Sequence, residues 1–96
     1  MKYKGKTATI TKGRYAYGDN LFMQLWVEGE PYATLTVNLP ETLPYNEAYV
    51  DVNNFPEAED FIKRNKIGTF TGRFGASGFC KYPLYKFDLD KIGGEI

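Results

Sequence analysis

Tyr45-Asn46-Glu47-Ala48-Tyr49-Val50-Asp51-Val52-Asn53-Asn54-Phe55-Pro56-Glu57-Ala58-Glu59-Asp60-Phe61-Ile62-Lys63-Arg64-Asn65-Lys66-Ile67-Gly68-Thr69-Phe70-Thr71-Gly72 organises the chain as strand, short helix and second strand. Ala48 to Val52 alternates as a strand, with Ala48, Val50 and Val52 inward and Tyr49 and Asp51 outward. A helix is expected over about Pro56 to Asn65. Asn54 is positioned to cap it, and Pro56 falls in the first turn, where a missing N–H costs nothing. Glu57, Glu59 and Asp60 lie at the positive end of the helix dipole, and Lys63, Arg64 and Lys66 at the negative end. Glu59 with Lys63 and Asp60 with Arg64 are spaced for i,i+4 pairing, worth about 0.2–0.5 kcal/mol each. Phe55, Ala58, Phe61 and Ile62 make one apolar stripe, and Gly68 marks the exit. So short a helix does not persist alone in water, so it must lie on a sheet.

The rest of the chain reads as antiparallel strand. Thr7, Thr9 and Thr11 alternate with Ala8 and Ile10. Leu21, Met23, Leu25 and Val27 alternate with Phe22, Gln24 and Trp26; both faces are rather apolar, which predicts a central strand with the helix over one side. Glu28-Gly29-Glu30-Pro31 is a tight turn. The chain returns over Tyr32 to Leu39, where Pro40 stops it. Past the helix, Gly68 to Phe74 and Phe79 to Leu89 form a last pair joined by Gly75-Ala76-Ser77-Gly78, with Pro83 demanding an edge or a bulge. The expected fold is α+β: one domain over residues 1–96, with a bent antiparallel sheet of about six strands (β-β-β-β-α-β-β) and one short helix packed on it. Gly93-Gly94-Glu95-Ile96 is expected to fray.

The 96 residues carry no formal net charge, but the signs come in blocks. Lys2, Lys4, Lys6, Lys12 and Arg14 precede any acid. Asp19, Glu28, Glu30, Glu41, Glu47, Asp51, Glu57, Glu59 and Asp60 follow without one Lys or Arg between them. From Phe61 to Phe87 the chain has Lys63, Arg64, Lys66, Arg73, Lys81 and Lys86 and no acid. Such blocks either pair across strands inside the fold or make opposed surface patches that meet partners.

The chemistry is mainly a set of exclusions. With no histidine and one cysteine, Cys80, neither a zinc site of the ordinary kind nor a Ser-His-Asp or Cys-His arrangement can be built. Ser77 is the sole serine and reads as a turn residue. Gly68, Gly72, Gly75 and Gly78 lack the Gly-Lys-Ser/Thr ending of a phosphate loop. Asp51, Asp88 and Asp90 have no calcium-loop spacing. No enzyme, metal or cofactor is therefore expected. The lone cysteine, the absence of a long apolar run and the lack of a signal-peptide pattern predict a cytoplasmic protein without a membrane segment.

Two binding surfaces suggest themselves. Glu28, Glu30, Glu47, Tyr45, Glu57, Glu59 and Asp60, together with Glu41, would make an acidic face with an exposed tyrosine, suited to a basic site on a protein partner. The alternative is a nucleic-acid face on the C-terminal hairpin, where Arg73, Lys81, Tyr82 and Lys86 interleave with Phe74, Phe79 and Tyr85, cations for phosphates and rings for bases. Zero net charge and the long acidic block favour the protein partner, bound by a monomer or a weak homodimer.

Tyr17-Gly18-Asp19-Asn20-Leu21, Gly29-Glu30-Pro31-Tyr32, Leu35-Thr36-Val37-Asn38-Leu39, Val50-Asp51-Val52-Asn53-Asn54, and Ser77-Gly78-Phe79 with Tyr82-Pro83-Leu84-Tyr85 together resemble an uncharacterised family of short proteins. Those proteins are encoded on plasmids, phages and conjugative elements of Firmicutes and Bacteroidetes. The resemblance brings no catalytic residue. It implies an accessory role in bacteria, such as neutralising a host defence enzyme or assisting maintenance of the element.

Overall fold

The computed structural model describes residues 1–93. The strands are β1 (Lys2–Tyr3), β2 (Lys6–Arg14), β3 (Leu21–Val27), β4 (Glu30–Thr34), β5 (Thr36–Val37), β6 (Glu47–Val50), β7 (Gly68–Ser77) and β8 (Cys80–Phe87), and α1 (Ala58–Arg64) is inserted between β6 and β7. All pairings are antiparallel. The α+β class and the single helix match the sequence reading. The strand count does not: eight strands form two four-stranded sheets, ordered β1-β2-β3-β4 and β5-β6-β8-β7.

Two local causes produce that difference. A two-residue turn at Lys4-Gly5, with φ of 49° and 78°, folds Met1 to Tyr3 back as a short extra strand, the arrangement of a type I′ hairpin. The expected strand over Tyr32 to Leu39 is divided at Leu35. The Leu35 N–H donates to Met23 O at 2.9 Å in the first sheet, while its C=O accepts from Asp51 N at 3.0 Å beside the second. Leu35 is fully buried and links the two sheets.

The inward residues of β2 and β3 (Ala8, Ile10, Leu21, Met23, Leu25, Val27) share one core with Ala48, Val50, Tyr85 and Phe87 of the second sheet. Phe55, Ala58, Phe61 and Ile62 of the helical segment close it, the stripe read from the sequence. β3 is central, as its pattern implies. Ile92, beyond β8, also enters this core, and Lys12 Nζ holds that segment through Leu89 O at 3.1 Å. Gly94 to Ile96 of the tail expected to fray lie outside the described residues.

The helix ends differ from the expectation. Asn54 does not cap α1. Its N–H and Nδ2 both donate to the Asp51 carboxylate, at 3.2 and 2.9 Å. Asp51 is buried, and a buried carboxylate must collect donors. The N-cap is Glu57, which makes no side-chain capping bond. At the other end the exit is built by Lys66, not Gly68. Lys66 adopts φ 55°, and Ile67 N–H to Ile62 O with Lys66 N–H to Lys63 O complete a Schellman motif. Asn65 then ties the helix to β1: its Oδ1 accepts from Lys2 N, and its Nδ2 donates to Lys2 O, both at 3.0 Å.

Tyr49 and Asp51, expected outward, are both buried. The loop before β6 folds across the back of the second sheet and makes a small second core of Leu39, Tyr49, Tyr82 and Leu84, with Val37, Leu43 and Cys80 packed on it. Asn20 organises that loop. Its Nδ2 donates to Asn38 Oδ1 and Glu41 O, and its Oδ1 accepts from Leu43 N. Among the described residues no helix is long and apolar enough to cross a membrane, and no group of His, Cys, Asp and Glu is arranged to hold a metal ion.

Candidate functional site

The β7–β8 hairpin is longer than its sequence suggests. β7 runs through Ser77 rather than stopping at Phe74, and the turn is Gly78-Phe79. Gly78 has φ 61°, which a glycine supplies at the first central position of a type II′ turn. Pro83 sits on a central strand, not an edge. It is tolerated there because the β6–β8 ladder stops at Tyr49 opposite Leu84, and β7 bulges beside it.

That bulge shapes the surface. Phe70 stands opposite Tyr85 and Phe74 opposite Pro83, with the register shift between them, so Thr71, Gly72 and Arg73 together face Leu84. Gly72 takes φ 92°, a conformation glycine adopts without a Cβ penalty. Thr71 Oγ1 pins the bulge by donating to Leu84 O at 2.9 Å. In an uninterrupted strand Phe70 and Phe74 would be separated by about 13 Å. Here their ring centroids are 5.3 Å apart, edge to face, and Phe70 also lies 5.7 Å from the buried Tyr85 ring. Yet Phe70 is 38% exposed, Phe74 57%, and Phe79 at the hairpin tip is fully exposed.

The opposite face of the hairpin is closed. Arg73 points there: its Nη2 donates to Glu41 Oε2 at 2.9 Å and reaches Tyr49 Oη at 3.4 Å, while Tyr49 Oη donates to Glu41 Oε1 at 2.6 Å. These bonds, from Tyr49 first and Arg73 second, hold the Glu41 carboxyl below its usual pKa. Burial, then the Glu41 bond, raises that of Tyr49. Gly75 continues that face, and a Cβ there would lie 2.6 Å from Tyr49 Cε1. The hairpin therefore has one packed side and one with bare aromatic rings.

The seven residues of the expected acidic face are not gathered together. Glu28 and Glu30 flank the exposed β3–β4 turn. Tyr32, two residues on, packs against Tyr3 and Phe55, which places β4 beside the segment leading to Glu57. Glu57 faces Lys4 at 3.7 Å. Asp60 pairs with Arg64 at 2.7 Å, the i,i+4 contact expected. Glu59 does not bridge to Lys63; it turns to the sheet and accepts from Tyr85 Oη at 2.5 Å. Burial, then that bond, raises the Tyr85 pKa. Tyr45 and Glu47 lie elsewhere, Tyr45 beside Lys63, Lys66 and Lys86 and Glu47 opposite Lys86 in the ladder.

The four residues of the alternative nucleic-acid face are also divided. Arg73 is engaged with Glu41, and Tyr82 is buried in the second core. By strand alternation Lys81 shares the aromatic side and Lys86 the other. Alternation along Gly68 to Phe74 puts Phe70 and Phe74 on one face, but the sequence reading neither brought the two rings into contact nor included Phe70 among the candidate site residues. Its available signal was Gly72, a glycine inside a strand pattern, which marks a bulge.

A family model described as a domain of unknown function, DUF4313, matches residues 9–94. No curated protein and no solved structure matches the chain.

Proposed function

The chain belongs to the DUF4313 family, and we propose that it is a non-catalytic binding protein whose partner docks on the aromatic side of the β7–β8 hairpin. The observation that carries this reading is the bulge that gathers Phe70 and Phe74 into one exposed shelf. Leaving two rings in water gives up hydrophobic stabilisation that burial would supply, on the order of 1–3 kcal/mol for each ring. Clustered aromatics next to a cation are what protein interfaces use as anchors.

The occupant is an extended, apolar and acidic segment of another protein. Lys81 is the cation on this side of the hairpin, so a second copy docked about a two-fold axis would set like charges together. The bulge interrupts the edge of β7, which blunts edge-to-edge polymerisation. In the mobile-element setting that the sequence resemblance implies, a module of this size acts by occupying a host protein. Of the acidic residues, Glu41, Asp51, Glu57, Glu59 and Asp60 are engaged in fold contacts.

Panning a random peptide library on the wild-type protein and on the double variant Phe70→Ser/Phe74→Ser tests the proposal. Selected peptides should be apolar and acidic, should shift the amide resonances of Phe70 to Phe74, and should lose binding to the variant while its melting temperature stays close to wild type. Peptides that bind both proteins equally would refute it.

A further inference from the structure

A second concave surface lies at the far end of the helix from Glu57. It is an open groove of about 690 Å³ between the helix C-terminus, the start of β7 and the chain following β8. Lys63, Lys66, Lys86 and Lys91 line it, together with Asp88 and Asp90. Three ion pairs occur among the described residues, and none involves any of these four lysines. Helix-dipole complementarity explains a cation at Lys63 and Lys66, and Lys91 Nζ reaches the helix end through Lys66 O at 3.3 Å. It does not explain Lys86, which comes from the middle of the sheet.

A further feature points to a ligand. Tyr45, at the rim, is 69% exposed, and its ring makes none of the aromatic contacts that engage Tyr3, Tyr15, Tyr32 and Tyr85.

From this arrangement we infer that the groove binds a nucleotide unit. Ammonium groups serve phosphate as point charges. An exposed tyrosine at the rim offers a face on which a base can stack. The two carboxylates are wrong for a bare polyanion, but they suit the donors of a nucleotide, its ribose hydroxyls and base amino groups. The volume lies within the range of small-ligand sites, roughly 300–1,000 Å³. The same chemistry is presented by a free nucleotide and by an unpaired nucleotide of a single strand. The inference is independent of the protein-binding role, because the groove and the aromatic shelf share no residue.

The test is a nuclear magnetic resonance titration at low salt with adenosine and uridine monophosphates, inorganic phosphate, and a short single-stranded oligonucleotide. Nucleotides should shift the amides of Thr69, Lys86 and Phe87. Lys63→Gln/Lys86→Gln should weaken binding by about tenfold or more and flatten its salt dependence. Tyr45→Ala should weaken nucleotide binding by about tenfold and leave phosphate binding unchanged. Tighter binding of the oligonucleotide than of the monophosphates would place the ligand in a strand; equal affinity would mark the free nucleotide. No shift at millimolar nucleotide, or an affinity untouched by either variant while both remain folded, would overturn the inference. So would phosphate binding as tightly as nucleotide.

Discussion

Replacing Tyr85 by Phe removes one oxygen from beneath the helix and should be felt by the whole domain. Tyr85 is fully buried, and its hydroxyl donates to Glu59 Oε2 at 2.5 Å, joining β8 to the first turn of α1. Hydrogen bonds to charged groups contribute about 1.5–3 kcal/mol. Glu59 is only half-buried, so its freed carboxylate regains water, and the low end, about 1.5 kcal/mol, is the expected loss. For a domain of this size that corresponds to about 6–12 °C in melting temperature, or roughly 1–1.5 M in urea midpoint. Glu59→Ala should cost a similar amount. The assay is a double-mutant cycle by urea unfolding: if the two groups act through one bond, the double variant should lose little more than either single variant, with a coupling of about 1 kcal/mol. A coupling below about 0.3 kcal/mol would mean that the two groups do not act through one bond and would return Glu59 to the free acidic surface.

Gly75→Ala should destabilise by about 1–3 kcal/mol through overpacking, since its Cβ would meet Tyr49 and Leu39 at 2.6–2.7 Å. Gly72→Ala meets nothing within 4 Å but pays for its positive φ with about 1–2 kcal/mol, and it should also disperse the Phe70–Phe74 pair; chemical denaturation compares the two. Lys66→Gly should stabilise by about 0.5–1 kcal/mol, because relief of left-handed strain exceeds the extra entropy of the unfolded chain; a drop in melting temperature would contradict the Schellman assignment. Glu41 has a lowered pKa, so its contribution is present above its ordinary value of 4.5 and fades as pH falls below it; Tyr49→Phe, which removes the larger cause, and Arg73→Met should each weaken that acid dependence. Tyr3, Tyr49 and Tyr85 have raised values, from burial first and hydrogen bonding second. Their neutral forms stabilise the fold below their ordinary pKa of 10.0, and stability should fall as pH rises past it, as followed by tyrosinate absorbance and circular dichroism.

Much of the fold was legible in the chain. The alternation of Leu21, Met23, Leu25 and Val27, the turn at Glu28-Gly29 and the stripe Phe55-Ala58-Phe61-Ile62 all depend on periods and turn conformations contained within a few residues. Side-chain direction across distant segments was not. Whether Tyr49 faces water depends on a loop drawn over it by Asn20, about thirty residues earlier. Whether Asn54 caps a helix or serves Asp51 depends on the burial of Asp51.

The candidate surface follows the same division. That the hairpin carries aromatics and cations without acids follows from the order of residues alone, because composition needs no geometry. That Arg73 turns inward to Glu41, that the helix covers Tyr85, and that a bulge gathers Phe70 and Phe74 into an exposed shelf are outcomes of long-range packing. A two-residue change in strand register moves side chains by several ångströms, and that register is set by partners far away in the chain.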